Sequence, residues 1–195
     1  RDRLGVRFDF HLEHGTPGTE WQIAQMLANP GMIRFVEGDN ETDNTPANYA
    51  GLTGFSATAA EQAALFNTIR GNAATASIPV IQASFAKVAS FSDAGNWAGV
   101  SNYANAHLYY TDGDQPGSNI PTYISMAQQV SPGQSVLATE TGYYTLPSAD
   151  GVSEAVQAKY TLNLLFDDWQ GGINMTYLFE LLDEFADPAN ANPHW

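Results

Sequence analysis

Several short apolar runs in this chain end on polar clusters, and those clusters hold most of the residues able to do chemistry. Met32–Val36 runs into Glu37-Gly38-Asp39-Asn40-Glu41, and Ala104 leads into His107-Leu108-Tyr109-Tyr110. Ser135–Thr139 runs into Glu140-Thr141-Gly142-Tyr143-Tyr144, and the last run ends on Glu180, followed by Asp183-Glu184. Two carboxyl groups carried on different strands can divide two roles at an acetal carbon. One, neutral, protonates the departing oxygen; the other, ionised, attacks the anomeric carbon. Retaining glycoside hydrolysis needs such groups ~5–5.5 Å apart. Glu41 and Glu140 are the candidate pair. A Tyr near the nucleophile can hydrogen-bond its carboxylate. An Asn beside the acid can grip a sugar hydroxyl in a contact that strengthens in the transition state.

The elements that must position these residues alternate between strand and helix. Leu4–Leu12, Met32–Val36, Pro79–Phe85, Ala104–Tyr110, Ser135–Thr139 and Ile173–Leu181 read as strands. Between them, Thr19-x-x-Gln22 and Thr58-x-x-Glu61 look like capping boxes for helices over Thr19–Ala28 and Ala59–Arg70. A short helical stretch is expected near Asp93–Val100, and another over Pro121–Val130, stopped by Ser131-Pro132-Gly133. A long helix should start at Ser153, with Val156, Tyr160 and Leu164 on one face, and end at Gly171-Gly172. Helical crossovers of this length imply parallel strands. In such folds function gathers where strands end and loops begin.

Composition narrows the field. The chain has 195 residues, 44% of them apolar, which fits one globular domain. No apolar run is long enough to span a membrane, and Arg1–Val6 lack the apolar stretch of a signal peptide. With no cysteine, disulfides and Cys-ligated zinc are excluded. A net charge of −14, with seven scattered Lys and Arg, leaves no cationic footprint for nucleic acid or an anionic membrane. A neutral substrate fits that charge best. Nucleotide loops, the G-x-S-x-G elbow and zinc-binding His patterns are all missing from the sequence. No metal or other cofactor is expected.

With order and placement taken together, the sequence resembles the clan A (β/α)₈-barrel glycoside hydrolases. Val36-Glu37-Gly38-Asp39-Asn40-Glu41 is similar to the element closing the clan's fourth barrel strand, whose Glu is the acid/base. Ala138-Thr139-Glu140-Thr141-Gly142-Tyr143 is similar to the seventh-strand element, whose Glu is the nucleophile, and Ala106-His107-Leu108-Tyr109 to the sixth-strand His-x-Tyr element. Glu41 and Glu140 lie 99 residues apart (140 − 41), room for three βα units. Asp39 and Thr42 stand where prolines are common, and Tyr177-Leu178-Phe179-Glu180 stands where the clan has a strand-eight Trp.

The resemblance implies a retaining enzyme acting on O-glycosidic bonds of a neutral oligo- or polysaccharide. Glu41 is then the acid/base and Glu140 the nucleophile. Asn40, His107, Tyr109, His11, Tyr143 and Glu180 are the expected substrate-side residues. Tyr144 and Trp97 are further candidates for stacking on sugar, against the plainer reading of aromatic core packing. Asp183 and Glu184 read as solvated charges. Asp112-Gly113-Asp114 with Ser118-Asn119 reads as a turn rather than a calcium loop.

The expected fold is an incomplete TIM barrel, residues 1–195, whose six parallel strands correspond to strands three to eight. On this reading the chain is a fragment of a bacterial protein, secreted to the exterior or periplasm. It would lack the first two βα units and the last helix. Alone it should aggregate or recruit a second chain over its open edges, with little or no activity. The alternatives are a barrel of the same fold that binds carbohydrate or serves structurally without turnover, and an unrelated α/β domain.

Overall fold

A computed structural model of the chain describes residues 6–12, 16–110, 113–145 and 151–180. In chain order the elements are β1 (Phe8–Leu12), α1 (Thr16–Ala28), a 3₁₀ turn (Pro30–Met32), β2 (Ile33–Asp39), β3 (Asn48–Tyr49), β4 (Leu52–Thr53) and α2 (Phe55–Gly71). Then come β5 (Val80–Ile81), α3 (Val88–Ala94), β6 (Ala104–Tyr109), α4 (Ile120–Val130), β7 (Val136–Gly142), α5 (Glu154–Gly171) and β8 (Thr176–Leu178). The chain divides into two compact units, Arg1–Asn105 with Met126–Ser135, and Ala106–Ser125 with Val136–Trp195. Among the described residues no helix is long and apolar enough to cross a membrane.

The first unit is built on the sheet β1-β2-β5, parallel throughout. β2 is buried along nearly its whole length, which is why it reads as an apolar run rather than an alternating one. On one face Leu12, Met26, Val36, Leu65, Ile69 and Val80 form the core between the sheet and α1 and α2. On the other, Phe35 meets Tyr103 edge-to-face at 5.8 Å. β5 is shorter than the expected Pro79–Phe85, and a side chain of α2 bonds the backbone around it. Gln62 donates to the Ile81 and Val100 carbonyls at 3.2 and 3.0 Å and accepts the Ala83 N–H at 2.9 Å.

Both expected capping boxes give way. α1 starts at Thr16, ahead of Thr19. Its second residue is Pro17, whose fixed φ suits a first turn. α2 starts at Phe55 behind Gly54, at φ 62°, while Thr58 and Glu61 are buried inside the helix. α3 comes earlier than the expected Asp93–Val100, because Gly95 at φ 79° ends it. The β3–β4 hairpin was not expected; Ala50 and Gly51, at φ 51° and 81°, make its two-residue turn.

The second unit holds the sheet β6-β7-β8, with β7 and β8 parallel. Ser153 caps α5 by accepting the Val156 N–H at 3.3 Å, and left-handed Gly172 closes it, as the sequence implied. Leu164 is buried, Val156 and Tyr160 are half-buried, and Leu162, Phe166 and Trp169 face outward. β8 is shorter than the expected Ile173–Leu181, and Leu181 lies outside the described residues. Six strands lie in the two main sheets, as expected, but their pairs do not close into a ring among the described residues.

Gly38 shows how tightly β2 is fitted. A Cβ there would meet the Ala83 N and Cα at 2.8 and 2.9 Å, and the Gln62 side-chain oxygen as well. Backbone atoms cannot step aside as a side-chain tip can. Gly38→Ala should therefore cost about 1–3 kcal/mol, read as a lower urea midpoint. An unchanged midpoint would contradict this packing of β2 against Gln62 and Ala83.

Candidate active site

In the first unit, β2 delivers Asn40 and Glu41 to its C-terminal end. Glu41 sits at φ +42°, the left-handed region. An L-residue pays roughly 1–2 kcal/mol there, so surrounding contacts must hold it. They are present. The Glu41 N–H donates to Ser84 Oγ at 3.0 Å. The Asn44 and Thr45 N–H groups donate to the Glu41 carbonyl at 2.8 and 3.2 Å. The Asn44 side-chain amide donates to Glu41 Oε2 at 2.8 Å. Asn40 is fixed from both sides: its N–H donates to Asp39 Oδ1 at 3.1 Å, and its Oδ1 accepts from Ser84 Oγ at 3.0 Å.

The loop beyond is tied down by Asp43. Its carboxylate accepts the Ala86 and Lys87 N–H groups at 2.9 and 2.8 Å and the Ser90 hydroxyl at 2.7 Å. Asp43 thereby ties the Glu41 loop to the segment entering α3 and, through the Ser90 hydroxyl, to α3 itself. Ser84, Asn44 and Asp43 were not among the expected site residues. Ser84 had a visible signal, since it stands at the end of the expected Pro79–Phe85 strand.

In the second unit, β6 and β7 lie side by side and bring His107, Tyr109 and Glu140 together. The Tyr109 hydroxyl donates to Glu140 Oε2 at 2.6 Å. His107 Nδ1 lies 3.6 Å from the same oxygen. Thr141, next to Glu140, donates its hydroxyl to the Leu108 carbonyl, which locks the two strands in register at this level. Glu140 keeps 26% of its side chain exposed against 1% for His107. The carboxylate can therefore be reached, while the imidazole beneath it is held in place.

The other expected residues are placed as follows. His11 is exposed on β1, its Nδ1 3.1 Å from the Leu12 carbonyl oxygen. Tyr143 is only 1% exposed, with rings of Tyr110 and Tyr160 5.6 and 5.5 Å away and its hydroxyl given to the Asp114 carbonyl at 2.7 Å. Tyr143 also lines a cavity of the second unit together with Glu180. Trp97 is likewise buried against Phe85. Glu180 follows β8 and lines a cavity of about 290 Å³ with Gly142, Gln157 and Leu178. Tyr144 is half-buried. Asp112, Asp183 and Glu184 lie outside the described residues.

No protein-family model matches the chain, and no curated protein matches it. Solved structures do. A family 17 β-1,3-glucanosyltransferase from Rhizomucor miehei matches with a TM-score of 0.65 and 15% identity, over 94% of this chain and 68% of its own. A family 128 endo-β-1,3-glucanase from Amycolatopsis mediterranei, in complex with laminaripentaose, matches with a TM-score of 0.57 and 12% identity, over 89% and 72%. The β-glucuronidase of Bacteroides uniformis matches with a TM-score of 0.60 and 16% identity, over 88% of this chain. The chain spans only 22% of that last enzyme's length. At these identities the likeness concerns the fold. The chain has an α/β fold with parallel sheets that matches glycoside hydrolases over most of its length.

Proposed function

We propose that this chain carries the catalytic centre of a retaining glycoside hydrolase acting on a neutral β-glucan. Glu41 is its acid/base and Glu140 its nucleophile. The observation that carries the reading is the Glu140 carboxylate at the end of a parallel strand, gripped by the Tyr109 hydroxyl at 2.6 Å, with His107 beside it. A phenol aimed at one oxygen orients the carboxylate for attack. The Asn40–Glu41 pair, held in a left-handed turn at the end of β2, supplies the second carboxyl group.

In the first step Glu140 attacks the anomeric carbon while Glu41 gives its proton to the departing glycosidic oxygen. A glycosyl ester of Glu140 results. In the second step Glu41 takes a proton from water, whose oxygen attacks the anomeric carbon and frees Glu140. The amide of Asn40 suits a donor to a sugar hydroxyl. The net charge of −14 favours an uncharged substrate. β-1,3-Glucan is the first polymer to test, because two of the matching structures are β-1,3-glucan enzymes.

The test is a screen of chromogenic β-glycosides and soluble neutral polysaccharides, laminarin included, with Glu41→Gln as the control. The expected result, with the full-length protein, is turnover by the unaltered form and its loss in the variant. Saturable glucan binding without turnover would replace this reading with a binding-only barrel.

A further inference from the structure

We propose that Ser84 is a positioning residue for the acid/base, fixing the Glu41 backbone and the Asn40 amide through one hydroxyl group; this rests on the reading of Glu41 given above. Ser84 is fully buried, yet its side chain serves two residues more than forty positions away in sequence. Its Oγ accepts the Glu41 N–H at 3.0 Å and donates to Asn40 Oδ1 at 3.0 Å. Its own N–H donates to the Asp39 carbonyl at 3.1 Å, so the hydroxyl is carried on backbone tied to the end of β2.

A hydroxyl can accept and donate at once, and both capacities are used here. Accepting from Glu41 helps to hold φ at +42°, which sets the direction of that residue's Cα–Cβ bond. Donating to Asn40 Oδ1 turns the Asn40 NH₂ away from Ser84. Asn40 therefore presents donors rather than an acceptor. Without the hydroxyl, Glu41 loses the tie on its N–H and Asn40 loses the bond that fixes its amide. The carboxyl group would survive, but aimed elsewhere.

The experiment compares Ser84→Ala and Ser84→Thr with the unaltered chain. The first readout is hydrogen exchange of the Glu41 amide, which needs no substrate. Exchange should speed up about tenfold in Ser84→Ala and return toward the original rate in Ser84→Thr, which keeps a hydroxyl. The second readout is kcat/KM on aryl β-glycosides whose phenols differ in acidity. Poor leaving groups need the acid's proton and good ones do not. Ser84→Ala should lose about tenfold on the poorest leaving groups and less than about twofold on the best. Equal losses across the series would overturn the proposal, since general damage to the fold does not discriminate between leaving groups. Unchanged Glu41 exchange would overturn it as well. Should Ser84→Ala fail to fold, Ser84→Cys keeps the shape with a weak donor and acceptor and takes its place. Full activity of Glu41→Gln on poor leaving groups would instead remove the acid/base reading, and the exchange experiment would still judge the tie itself.

Discussion

Glu140→Ala should lose turnover by at least about 10³-fold and regain part of it in azide, yielding a glycosyl azide of inverted configuration. Glu41→Ala should lose about 10²–10⁴-fold on substrates with poor leaving groups, and on good leaving groups it should regain turnover in azide with retained configuration. The two products differ because the missing carboxyl differs. Without Glu140, azide occupies the space of the nucleophile and displaces the leaving group directly, once and with inversion. Without Glu41, the glycosyl ester of Glu140 still forms on good leaving groups. Azide then attacks the ester from the leaving-group side, the second of two inversions. Product configuration, read by NMR, thus assigns each carboxyl its role. The same anomer from both variants would remove the assignment. Failure of both substitutions to affect turnover would move the chemistry elsewhere in the chain.

The two strands that end at these carboxyls were legible for one physical reason. β2 and β7 are buried along much of their length, so each reads as an apolar run that breaks abruptly into polar residues. A Tyr beside the nucleophile was expected; Tyr109 of β6 takes that place because consecutive strands joined by a helix tend to be neighbours. Ser84 and Asp43 escaped because their partners lie more than forty positions away and depend on which loops meet. Thr58-x-x-Glu61 misled because local pattern does not report depth. Both residues lie inside α2, and the backbone freedom of Gly54 starts the helix before them. Trp97 shows a similar limit: an aromatic residue near a helix end looks alike in sequence whether its ring faces sugar or, as here, packs on Phe85. The β3–β4 hairpin, two residues a side, is too short for any periodicity.

Asp9→Asn should make the first unit more stable at pH 8 by about 2 kcal/mol or more, and barely change it near pH 4. Phe10 and Leu12 turn one face of β1 into the apolar core. Asp9 takes the opposite face, level with Phe35 and two residues along from the level of Glu37. Its Oδ1 is buried without a hydrogen-bond partner. Burial, and then the charge of neighbouring Glu37, push the Asp9 carboxyl from 3.8 up to about 8. Asn105 donates to Glu37 Oε1 at 2.7 Å, whereas the Asp9 carboxyl has only the Phe10 N–H to offset its burial, and its Oδ1 has no donor. The folded chain therefore keeps the Asp9 proton over a range in which the unfolded chain has lost it. Folding takes up a proton across that window, so stability is complete below about pH 4 and falls as pH rises toward about 8. Each pKa unit is worth about 1.4 kcal/mol, so the fall amounts to several kcal/mol. An amide resembles the protonated acid in shape and does not ionise, so the variant should lose this part of the slope. The chain's net charge of −14 adds its own loss of stability at high pH. The measurement must therefore be the difference between the two urea midpoints at each pH, from 4 to about 9. A difference that opens between about pH 4 and 8 and then levels off is the expected result. Parallel curves would mean that Asp9 titrates alike in the folded and unfolded chain, and that the buried pair does not hold a proton.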